Sequence, residues 1–133
     1  MGLGKKMKGA IVYGFDKVLI NSNDKPIPIM VQVAKKFYAA GYQNIIISAR
    51  PRQIYYNFVI SFLQKYQIPF SKLVLKDIRD KRDSVKFKID TIWGLTEDYN
   101  ISLVYAFEPY VRRMVKERLG INALPPEHLL ISH

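Results

Sequence analysis

AIVYGFDKVLINS, residues 10–22, is the stretch whose reading decides the fold. Ala10 through Phe15 form an unbroken apolar run of strand length, and a loop follows at once with Asp16, Lys17 and Val18. A run without polar alternation is the mark of a strand buried on both faces, as in a parallel sheet covered by helices. In such sheets ligand sites lie beyond the carboxyl ends of the strands, so the loop after Phe15 is where chemistry is expected.

The same logic extends outward. PIPIMVQVAKKFYAAGY (26–42) has helical spacing, with Pro28 suited to a first turn and Gly41 to the position after the last. NIIIS (44–48) reads as a second buried strand, and RQIYYNFVISFLQKY (52–66) as a helix whose apolar stripe is Ile54, Tyr55, Phe58, Phe62 and Leu63. SKLVLK (71–76) is a third strand. DSVKFKIDTIWGL (83–95) is a helix with Val85, Ile89, Ile92 and Trp93 on one stripe. ISLVYAF (101–107) is a fourth strand, PYVRRMVKERLG (109–120) a helix opened by Pro109 and closed by Gly120, and HLLI (128–131) a last strand. Strand–helix alternation of this kind predicts a three-layer, Rossmann-like α/β fold with a mainly parallel sheet of about five strands. One domain over 1–133 is expected, with residues 1–8 as a basic tail and little room for a separate cap between the first two strands.

Composition narrows the function classes. No apolar run is long enough to span a bilayer, and the basic start MGLGKKMKG lacks the apolar core of a secretory signal. Position 6 is Lys where a myristoylation signal needs Ser or Thr. The absence of cysteine removes disulfides and thiolate metal sites. A cytoplasmic or other intracellular, non-secreted location is therefore expected. Lys and Arg number 21 against 11 Asp and Glu, a net charge of +10, which favours nucleic acid, nucleotides or an acidic protein surface as partners.

The loops at 16–27, 48–52, 76–83 and 107–110, with the helix start beyond 83, gather Asp16, Lys17, Ser48, Arg50, Lys88 and Glu108. Acid, hydroxyl and cation after successive strands is the composition of a phosphate site. Here the chain resembles the haloacid dehalogenase (HAD) superfamily. That family's first motif, Asp-x-Asp-Gly-Thr-Leu after a hydrophobic strand, overlies Gly14 through Leu19 without gaps: Gly14 takes the first Asp, Asp16 the second, Lys17 the Gly and Val18 the Thr. Ser48 in IIISARP takes the second-motif hydroxyl. RDKRDSVKFKIDTIW is similar to the phosphatase domain of polynucleotide kinases, with Asp80 and Arg82 on its Gly-Asp-x-Arg segment, Arg79 replacing the Gly, and Lys88 on the family Lys. Periodicity alone does not choose between Lys86 and Lys88. Glu108 and Pro109 stand on the two fourth-motif Asp positions. The resemblance covers about residues 8–121.

The departures fall on the reaction centre. The resemblance implies a first Asp that attacks phosphorus, a second that acts as acid and base, and carboxylates that hold magnesium. Gly14 has no side chain to attack with, and Pro109 has no carboxylate. The leading expectation is a catalytically inactive, pseudo-phosphatase HAD-like protein with no confident catalytic residue and no cofactor. Asp16 is then the residual acid/base candidate, Lys17, Ser48, Arg50 and Lys88 are phosphate-binding candidates, and Arg52, Arg79, Lys81, Arg82 and Lys86 are nucleic-acid contacts. One alternative is a magnesium-dependent phosphatase on nucleotide or polynucleotide 3′-phosphate ends, with Asp16 and Glu108 as weak metal candidates. Another is a regulatory or structural subunit bound to an acidic protein. Blander readings stand beside each residue: Gly14 for close backbone approach, Asp16 as a loop-capping acceptor, Ser48 as a strand-end bond, Lys17 and Lys88 as structural ion pairs, and Arg50 as a solvated loop residue. Tyr55, Tyr56 and Tyr110 read as packing rather than as base-stacking platforms. His128 and His133 carry no metal spacing.

Overall fold

The strand of the opening stretch, β1 (Ala10–Gly14), lies at the centre of a five-stranded sheet, between β2 (Gln43–Pro51) and β4 (Ile101–Tyr105). The computed structural model describes residues 9–131. β3 (Lys72–Lys76) flanks β2 and β5 (Ala123–Leu124) flanks β4, giving the order β3-β2-β1-β4-β5 with every pairing parallel. The order reverses between β1 and β4, which opens a crevice beyond the carboxyl ends of those two strands.

Strand alternation explains why a continuous apolar run is needed. Ile11 and Tyr13 enter one core with helices α1 (Pro28–Ala39) and α2 (Arg52–Lys65), through Met30, Ala34, Val59 and Leu63. Ala10 and Val12 enter the other, with α3 (Ser84–Leu95) and α4 (Pro109–Leu119), through Phe87, Ile92, Val111 and Val115. The result is the three-layer α/β fold read from the sequence. Pro28 and Pro109 open their helices, and α4 ends on Gly120, whose φ of 67° lies in the left-handed region that glycine enters freely.

One polar network threads the first core. Tyr13 Oη donates to Asn44 Oδ1 at 3.0 Å, and Asn44 Nδ2 donates to the carbonyls of Ala34 at 2.9 Å and Pro69 at 3.0 Å. Asn44 is fully buried, so a single side chain ties β1, β2, α1 and the loop before β3 together.

Four expectations need correction. HLLI is not a strand: α5 (Glu127–Ile131) covers it, and the last strand is the short β5, set by pairing with Val104 and Tyr105. The stripe of α3 holds for Val85, Ile89 and Ile92, which pack with Phe87 and Leu95 on the second core, but Trp93 stays 61% exposed and Lys88 is buried. On α2 the buried set is Val59, Phe62 and Leu63; Ile54 is 62% exposed, and Tyr55 and Phe58 lie against the Arg50 guanidinium instead of entering the core. Tyr56 and Tyr110, expected as packing, are likewise exposed. The expected tail at 1–8 and His133 lie outside the described residues.

Replacing Asn44 with Ala strands the Tyr13 hydroxyl and two carbonyls in the core. The expected loss is about 3 kcal/mol in urea unfolding. A loss below about 1 kcal/mol, within the worth of one ordinary hydrogen bond, would contradict the network's role.

Candidate functional site

The crevice is built from the ends of β1, β2 and β4 and the start of α3. After Gly14 the chain turns back on itself. Leu19 and Ile20 N–H groups both donate to Phe15 O, and Lys17 N donates to Ile20 O at 2.7 Å. Val18, Leu19 and Ile20 are fully buried by this turn, and residues 15–27 form a packed loop with two isolated bridges rather than a cap. Lys17, on the motif position where the resembled family has Gly, takes a φ of 64°. A side chain there costs about 1–2 kcal/mol of backbone strain. Its ammonium sits 4.8 Å from the centre of the Phe107 ring.

Asp16 is clamped. Arg50 Nε donates to Oδ1 at 3.0 Å and Oδ2 at 3.2 Å, and Nη2 donates to Oδ1 at 2.7 Å. Ser48 Oγ adds a long bond to Oδ2 at 3.5 Å and accepts the Arg50 N–H at 3.1 Å. The guanidinium lies 5.4, 5.1 and 5.2 Å from the ring centres of Phe15, Tyr55 and Phe58. The bond to Asp16 raises the Arg50 pKa. Arg50 is therefore not a solvated loop residue: three rings and a bidentate carboxylate fix it.

Lys88 is 8% exposed, and its Nζ lies 2.5 Å from Glu108 Oε2. Of the two lysines that periodicity left open, the structure turns Lys88 into the crevice and Lys86 outward to Asp90 at 3.2 Å. Gly14, Lys88 and Glu108 together line a cavity of ≈ 10 Å³, with Ile47, Ala106 and Val111 among its walls. That is about the space of one water. A Cβ added at Gly14 would meet Val18 Cγ2 at 3.5 Å and Tyr105 O at 3.8 Å, both ordinary contacts. Close backbone approach thus does not require glycine here, which corrects that reading.

The basic residues expected to contact nucleic acid are mostly engaged. Arg52 and Arg79 hold Asp77 at 2.9 and 3.1 Å, and Arg82 holds Asp80 at 2.5 Å and Asp90 at 3.1 Å. Lys81 alone among them has no carboxylate within 4.0 Å among the described residues. Lys76 also bonds the Arg82 carbonyl, so the 76–83 loop is tied from both sides. The sequence pattern did not reveal these pairings; the Asp–x–Arg repeats at 77–79 and 80–82 are the signal that could have.

Magnesium would need carboxylate oxygens turned to a common point. Gly14 supplies none, Asp16 faces Arg50, and Glu108 faces Lys88. Among the described residues no group of three acidic or histidine side chains converges. The residues present do not fit the metal.

Fold and crevice together define a HAD-like, phosphatase-related domain. Residues 11–122 match the family described as PITM 1-3, LNS2 domain, and the chain belongs to that family. No curated protein matches the sequence. Among solved structures, a chain of a Pnkp1/Rnl/Hen1 complex is similar with a TM-score of 0.80 and 21% identity, covering 92% of this chain and 47% of that one. A chain of the Pnkp1/Rnl/Hen1 RNA repair complex is similar with a TM-score of 0.77 and 22% identity, covering 87% and 41%. This chain spans less than half of either, and at such identities the likeness is one of fold. Among the described residues no helix is long and apolar enough to cross a membrane.

Two predictions follow from the ion pairs. Glu108→Gln leaves the Lys88 ammonium buried without a counter-charge, and unfolding should show a loss of about 3 kcal/mol. Lys88→Met with Glu108→Leu should return within about 1 kcal/mol of the parent. A double variant as unstable as Glu108→Gln would contradict a self-neutralising pair. The second concerns acid. The Arg82 side chain lowers Asp80 from 3.8 to about 2, and the same side chain lowers Asp90. A carboxylate with a lowered folded pKa stabilises above its ordinary value and ceases to as the pH falls through the lowered one. Stability should therefore decline between pH 3.8 and about 2, and Asp80→Asn should flatten that decline. An unchanged acid profile in Asp80→Asn would refute the assignment.

Proposed function

We propose that this chain is a catalytically inactive HAD-like domain, a pseudo-phosphatase that binds nucleic acid or nucleotide phosphate through its basic surface. One observation carries the first half. The position of the attacking carboxylate is Gly14, and the charged groups around it are matched with each other, Asp16 with Arg50 and Lys88 with Glu108. Nucleophilic phosphoryl transfer needs a side chain that can bond to phosphorus, and a carboxylate clamped by a bidentate guanidinium is a poor acid or base. The phosphate role expected of Arg50 and Lys88 would require a ligand to displace Asp16 or Glu108. Ser48, Lys17 and loop N–H groups remain as the weaker remnant of a phosphate cradle.

The second half rests on charge. A surplus of +10 attracts polyanions and gives salt-dependent association. The fold likeness to chains of an RNA repair complex is in keeping with this partner class.

A magnesium-supplemented assay tests the catalytic half, using a generic phosphomonoester and a 3′-phosphorylated oligonucleotide. No phosphate release above the buffer rate is expected. Release that depends on magnesium and disappears in Asp16→Asn would overturn the reading. For the binding half, log K should fall steeply and linearly with log salt. An affinity equal at low and high salt would contradict it.

A further inference from the structure

At the sheet's carboxyl edge Arg50, Arg52, Arg79, Arg82 and Lys88 each have a carboxylate partner. α4 is different. It carries Arg112, Arg113, Lys116 and Arg118 against Glu117. Among the described residues none of these four cations has a carboxylate within 4.0 Å. Arg112 donates to the carbonyls of Ala106 at 2.9 Å and Phe107 at 2.8 Å, which fixes the β4–α4 turn. Arg113 lies 5.1 Å from the ring centre of Tyr110, and that ring is 48% exposed.

Beside this surface, between α3 and α4, is a cavity of ≈ 420 Å³. Val85, Ile89 and Met114 give it an apolar lining, and Lys86, Tyr110 and Arg118 border it. Its two carboxylates are already committed. Asp90 pairs with Arg82 and Lys86, and Asp83 caps α3 by accepting the Lys86 N–H at 2.8 Å. An open groove of this size with an apolar part to its lining admits one planar ring system, with the exposed Tyr110 ring beside it and Arg118, which has no partner carboxylate among the described residues, on its border.

We infer that the α3–α4 groove takes an unpaired base of single-stranded nucleic acid, stacked on Tyr110, with the adjoining phosphates on Arg113 and Arg118. The inference rests on the nucleic-acid reading above and moves the contact surface from the ancestral crevice to α4. Single strand is favoured over duplex because a base in a helix has both faces stacked and cannot enter a slot. The phosphates meet cations that give up no internal partner carboxylate on binding, unlike Arg50 or Arg82.

Fluorescence anisotropy with a labelled uridine oligonucleotide and a duplex of equal length tests this. Wild type should prefer the single strand. Tyr110→Ala should weaken single-strand binding about tenfold. Arg118→Glu should weaken it and reduce the log–log salt slope by about one. Lys36→Glu, the same charge change on α1 across the sheet, should leave the affinity unchanged. Circular dichroism shows whether each variant is folded, and the exposed Tyr110 allows Tyr110→Phe, which should retain binding, as a second check. Single-strand binding untouched by Tyr110→Ala and Arg118→Glu would refute the groove and leave the nucleic-acid reading standing. No binding by wild type to either oligonucleotide at low salt would refute that reading. Tyr110-dependent binding to phosphatidylcholine–phosphatidylserine vesicles in its place would assign the surface to a membrane and overturn the inference.

Discussion

A lysine ammonium out of water must have a counter-charge, and among the described residues only Glu108 supplies one to Lys88. The need follows from position. Lys88 stands one turn into α3, on the buried face that also carries Phe87 and Ile92, and points under the end of β1. The strand end above it is Gly14, which offers no carboxylate. The charge must be met from β4's side, and glutamate, one methylene longer than aspartate, reaches it. Once Lys88 and Glu108 satisfy each other, neither is free to bind phosphate or metal without breaking the other's pairing. Asp16 and Arg50 repeat the arrangement a few residues away, with three aromatic rings enclosing the guanidinium. The charges of the crevice are thus directed at one another.

The same economy of charge extends along the edge. Asp77, Asp80 and Asp90 each have an arginine beside them, so the arginines of the 76–83 loop are already paired. The surplus that makes the molecule basic is displaced to surfaces with few acids, α4 above all. A charge count over a sequence thus tells what class of partner is attracted, and ion pairing decides where it can land.

Much of the fold was legible. AIVYGF, NIIIS and ISLVYAF are continuous apolar runs, and only a two-sided burial accounts for them; the intervening helices carry their own stop signals at Gly41 and Gly120. The absence of a side chain at position 14 could be read by register alone, and Lys88 was one of two candidates. The rest was hidden for identifiable reasons. HLLI has strand-like composition, but it lies in a helix, and the pairing with β4 is made by Ala123 and Leu124. Helical spacing on α2 and α3 did not show which apolar residues the core leaves uncovered, and Ile54 and Trp93 remain outside. The clamp on Asp16 joins residues 34 apart in sequence, and no local pattern records a contact of that kind.

A crystal of the protein soaked with magnesium and beryllofluoride gives the most direct test of a crevice closed by its own ion pairs. The account predicts no fluoride complex in the crevice, with Lys88 still on Glu108 and Arg50 still on Asp16. Beryllium bonded to a carboxylate of this chain, Asp16 above all, would contradict it.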